Sequence, residues 1–104
     1  EQLYGIHRDT TVIGNPDAAS SRAVMMANAS SGYSDDASDA ATTCDNVFYQ
    51  YLDSPSTGSA ITYHATIRII RAVTLYNNRC VTDGDDANNE RLTSTITLQE
   101  VVAP

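Results

Sequence analysis

Between residues 60 and 70, apolar and polar side chains alternate without a break. Ile61, Tyr63, Ala65, Ile67 and Ile69 fall on one side, and Thr62, His64, Thr66 and Arg68 on the other. A helix facing a core needs apolar residues three and four apart, whereas a period of two builds a half-buried strand. No segment of the chain sustains a helical period, and turn residues return at short intervals. Together these features restrict the fold to the all-β class, as an antiparallel β-sandwich or jelly-roll-like domain.

The other expected strands follow the same logic. Residues 3–7 and 10–13 are short β-prone runs, and Gly14-Asn-Pro16 interrupts the chain after the second. Residues 22–28 are apolar on both sides, which predicts a strand buried on both faces, one of them against a partner. Residues 29–43 are Ser, Asp, Gly and Ala around Tyr33, an exposed loop. Strands are expected again at 47–52, 73–77 and 93–102, separated by the Asp53–Gly58 turn and an acidic loop at 82–89. In the last, Ile96, Leu98 and Val102 face one way and Thr93, Thr95, Thr97 and Gln99 the other. About seven strands with uneven loops fit one sandwich.

At 104 residues the chain is one domain, 1–104, with a modest core that leans on neighbours or a staple. A net charge of −7 argues against nucleic acid, which requires a basic stripe. No apolar run is long enough to cross a bilayer as a helix, so membrane insertion is not expected. Lysine is absent, and aspartate supplies ten of thirteen acids. That bias fits a hydrated carboxylate surface in salt-rich water, or equally a genome that favours arginine codons.

Chemistry is hard to find. No serine occupies a Gly-x-Ser-x-Gly elbow, and His64 sits among threonines as a solvated or cross-strand-paired histidine. Asp83, Asp85, Asp86 and Glu90 offer hard oxygens for calcium, but Ala87 and Gly84 break the EF-hand spacing, so a solvated acidic loop is the default and no cofactor is required. Cys44 and Cys80 flank expected strands. A disulfide between them would close a loop worth about 3–4 kcal/mol in chain entropy, and two buried thiols are the alternative.

Three segments also carry a resemblance. Tyr51-Leu-Asp-Ser-Pro-Ser-Thr-Gly-Ser-Ala-Ile-Thr-Tyr63, Thr74-Leu-Tyr-Asn-Asn-Arg79 and Ser94-Thr-Ile-Thr-Leu-Gln-Glu-Val101 resemble the C-terminal β-domain of tail-fibre-like virion structural proteins of marine and freshwater tailed phages. Thr11-Val-Ile-Gly-Asn-Pro-Asp-Ala-Ala-Ser-Ser-Arg22 is similar to a further stretch of that family, with Pro16 and Ser20 where glycine is usual, and His64 stands where lysine is common. The resemblance implies a homotrimeric, jelly-roll-like, non-enzymatic domain on the virion surface, in contact with other virion proteins. It also implies further strands before the segment that opens at Glu1, so the expectation is a fragment, a processed product, or a form whose missing strands come from a partner. No catalytic residues carry over.

The expected role is therefore a tail-fibre or receptor-binding protein. Its contacts to a host glycan or protein would come from Tyr33, Asp35, Asp36, Asp53, Ser54, Asp83 and Asp85. A capsid decoration (cement or head-fibre) protein would use the same faces to clamp capsomers. A secreted carbohydrate-binding module is the remaining alternative.

Overall fold

The computed structural model describes residues 2–29, 45–72, 74–87 and 89–102. Among them there is no helix, and the regular structure is one antiparallel four-stranded sheet. The strands are β1 (Gln2–Arg8), β2 (Thr11–Ile13), β3 (Ala27–Ala29) and β4 (Tyr63–Ile69). The all-β expectation holds at this level.

β1 is the centre. Along one edge it pairs with β4 over its whole length, from Gln2 opposite Ile69 to Arg8 opposite Tyr63. Its other edge is shared end to end: β2 takes Ile6, His7 and Arg8, and β3 takes Gln2, Leu3 and Tyr4. This division shortens β3. Residues 22–28 were expected to form one strand, but β2 already occupies half of the edge, so only the last part of that run finds a ladder. β1 and β2 are joined by the two-residue turn Asp9-Thr10, with Asp9 at φ 50°. A positive first central φ belongs to the primed hairpin turns, whose twist matches that of the strands, and aspartate tolerates it.

The chain between β2 and β3 returns across the sheet. Gly14 at φ 73° starts the excursion, and the Arg22 amide donates to the Ala19 carbonyl to turn it back. Met25 then lies over Gly5, where a Cβ would come within 2.6 Å of its terminal methyl. The two-sided apolar character of residues 22–28 thus has a local cause, since Met25 packs on the sheet and Met26 leans on Gly14. The two glycines should respond differently to alanine. Gly5→Ala meets only the mobile end of Met25 and is expected to change Tm little. Gly14→Ala combines a left-handed backbone with the Met26 sulfur at 2.9 Å and the Tyr51 ring at 3.0 Å, and should cost about 1–2 kcal/mol in thermal unfolding.

Three expected strands are not strands. Residues 47–52, 74–77 and 93–102 carry no ladder apart from a single Arg79–Arg91 bridge just outside them. Their β-prone composition is real, but a strand forms only where a neighbour's edge lies in reach and in register, and none of the three pairs with one among the described residues. The core is correspondingly thin. Among the described residues, only Ile13, Ala29 and Cys80 are buried apolar side chains. The radius of gyration is 16.8 Å, against about 13 Å for a compact domain of this length.

Candidate interaction surface

Residues 49–53 cross the sheet face that carries Tyr4, Ile6 and Arg8. The Tyr49 ring tilts against Tyr4 with centroids 6.4 Å apart, and its hydroxyl donates to the Gly5 carbonyl at 3.3 Å. Burial pushes both phenols above their ordinary range. At the far end Asp53 is gripped twice, by the Arg8 guanidinium on one oxygen and by the Tyr63 hydroxyl at 2.8 Å on the other. Burial opposes the charge on Asp53, but the hydrogen bonds from Arg8 and Tyr63 and the Arg8 charge outweigh it. The carboxyl is held below its usual value. The hydrogen bond to Asp53 raises the Tyr63 phenol in turn. Thr62 and Asp9 close the same corner: the Asp9 amide donates to the Thr62 carbonyl at 2.7 Å, and the Thr62 amide donates to the Asp9 carboxylate at 3.0 Å.

A second lobe is built on residues 78–92. Arg91 makes a two-pronged contact with Asp83 at 3.0 and 2.8 Å, and Arg79 approaches the same carboxylate at 3.5 Å while lying 4.5 Å over the Tyr76 ring. The hydrogen bond from Arg91, reinforced by both positive charges, lowers the Asp83 carboxyl despite partial desolvation. The Leu92 amide donates to the Asn78 carbonyl, and the Ser94 hydroxyl to the Asn78 side chain. Cys80 is buried in this lobe with its sulfur 3.2 Å from the Glu90 carboxylate.

These contacts re-sort the residues singled out from sequence. Asp53 and Asp83 bind arginines within the chain, while Ser54 and Asp85 are exposed. Tyr33, Asp35, Asp36 and Cys44 lie outside the described residues, so the Cys44–Cys80 pairing does too. Among the described residues no three His, Cys, Asp or Glu side chains gather where a metal could sit, and Asp83, Asp85, Asp86 and Glu90 form no such group. His64 stands directly across the ladder from His7, whose Nδ1 lies 3.1 Å from the Thr66 hydroxyl.

The sequence reading missed Arg8 and Tyr63 as partners of Asp53. The only trace of that clamp was an aspartate ahead of a Ser-Pro turn, a pattern shared by ordinary solvent-facing turns.

What remains is apolar and uncovered. On β4, Ile67 is 39% and Ile69 36% exposed, although both belong to the face expected to be half-buried. Phe48 at 84% and Leu52 at 79% project from the crossing segment. Ile96, Leu98, Val101 and Val102 are all more than half exposed. Two shallow grooves meet at Gly14, Asn15 and Tyr51, the larger of about 540 Å³ and lined by Met25, Met26 and Phe48. No helix among the described residues is long and apolar enough to cross a membrane.

No family model matches the chain, and no curated protein or solved structure matches it either.

Proposed function

We propose that this chain is a non-enzymatic structural subunit on the exterior of a tailed-phage particle, of the tail-fibre or receptor-binding type, which completes its β-sandwich or jelly roll by trimerisation. One observation carries the assembly half of this reading. The accessible surface is 8302 Å², whereas a folded monomer of this mass exposes about 5,700 Å². The excess, about 2,600 Å² for one chain, exceeds the roughly 800 Å² per partner of a standard interface. The exposed side chains among the described residues include the β4 isoleucines and the apolar side chains of residues 92–102, surface that water disfavours and sister copies would cover.

The virion half is supported by the resemblance carried by residues 51–63, 74–79 and 94–101. The net charge of −7 and an acidic, lysine-free surface suit a particle's outer face. Exposed Ser54 and Asp85 are described positions at which such a subunit would meet a host glycan or protein. Cryo-electron microscopy of intact particles, with this chain located by a bound antibody fragment, tests the reading. Density on tail fibres supports it, density over capsomers transfers the chain to capsid decoration, and absence from particles overturns it.

A further inference from the structure

The most specific uncovered feature is not a pocket but a strand edge. Among the described residues β4 is bonded only to β1. The Asp9 amide to Thr62 carbonyl bond fixes the alternation along this ladder, because residues that exchange bonds recur every second position. His64, Thr66 and Arg68 therefore point their backbone groups at β1. Tyr63, Ala65, Ile67 and Ile69 point theirs outward, as a row of amides and carbonyls beside exposed isoleucine side chains. An edge of this kind is a template for another strand.

Residues 93–102 have the complementary pattern and no ladder of their own. We propose that this segment of one copy adds as a parallel strand to the outer edge of β4 in a second copy. Setting Ile96 beside Ile67 places Leu98 beside Ile69, which extends the apolar face. The same register sets Thr93 beside His64 and Thr95 beside Thr66, which extends the polar face. It also brings Glu100, the sole charge in residues 92–102, level with Arg71, two residues past the end of β4. A one-residue slip would exchange the two faces and lose all of these matches. In this register the Thr97 amide points at the Ile67 carbonyl.

The segment is held at its base within its own chain, where Leu92 and Ser94 bond to Asn78, yet it makes no ladder with its own β4. Among the described residues, each copy therefore offers one strand and one vacant edge. Such head-to-tail exchange closes into a ring when the rotation permits. The inference rests on the assembly reading above and specifies its contact.

Native mass measurement and hydrogen exchange across a dilution series of the full chain test it, with T97P, E100R and E100R/R71E alongside. The expected result is protection of the outward Ala65, Ile67 and Ile69 amides that is lost on dilution together with the assembly mass, while the amides bonded to β1 stay protected. T97P should weaken association by about tenfold or more. E100R should weaken it less, and adding R71E should restore it. A monomer at every concentration would overturn the assembly reading and the strand addition with it. An intact assembly whose Ala65, Ile67 and Ile69 amides exchange freely, or which T97P leaves unaltered, would overturn the strand addition alone. Protection of the Ala65, Ile67 and Ile69 amides that ignores dilution would show the segment on its own β4, which also overturns the exchange between copies. Failure of the R71E rescue would overturn the parallel register.

Discussion

Replacing Ile67 and Ile69 together with glutamate should leave a folded chain that no longer assembles. Both side chains already meet water, at 39% and 36% exposure, so the isolated chain loses only part of a full core burial, and far-ultraviolet circular dichroism should still show the sheet. In an assembly the same positions are covered. There the change removes apolar burial at about 25 cal/mol per Å² and also asks two carboxylates to leave water. Apparent dissociation constants should rise by about 100-fold or more, read by sedimentation across a concentration series. Unaltered association would mean that this face of β4 is not an interface. Replacing His64 and Thr66 by serine, on the opposite face, provides the control for general damage to the strand.

Asp53→Ala is the second large effect, and it acts inside the monomer. Asp53 ties residues 49–53 to β1 through Arg8 and to β4 through Tyr63. Its loss leaves the half-buried Arg8 guanidinium without this anion, and a fall in Tm on the order of 5–10 °C is expected. The variant should also behave differently in acid. A carboxyl whose folded value is depressed stabilises the fold above its unfolded value, near pH 4, and that contribution is lost as pH falls through the lower folded value. Wild-type stability should therefore drop below about pH 4. Asp53→Ala should drop less over the same interval, with Asp83 the remaining depressed carboxyl among the described residues. Equal acid limbs for the two proteins would show that the clamp contributes nothing to the pH dependence.

The strands that could be read in advance are those whose partner lies close in sequence or whose alternation is strict. β1 and β2 form a hairpin two residues apart, and β4 carries the clean alternation of residues 63–69. Residues 47–52 and 93–102 have equally good β composition and still do not pair. Composition reports fitness for a pleated surface, but it cannot say whether a vacant edge lies within reach. The inward turn of Asp53 and Asp83 was equally illegible. An aspartate in a Ser-Pro turn and one in an acidic loop look solvent-facing until a distant arginine arrives, from Arg8 in one case and Arg91 in the other.

Residue order alone settled the class of structure and the balance of charge: no helical period, alternating faces and an excess of acids. These are local properties, set by side-chain periodicity and charge along the chain. Only the tertiary structure decided which β-prone segments became strands, which carboxylates were neutralised within the chain, and which apolar face stayed open. Each of those outcomes depends on competition for a finite number of backbone edges. β1 has two, β4 fills one, β2 and β3 divide the other, and the remaining segments are left without a place on it.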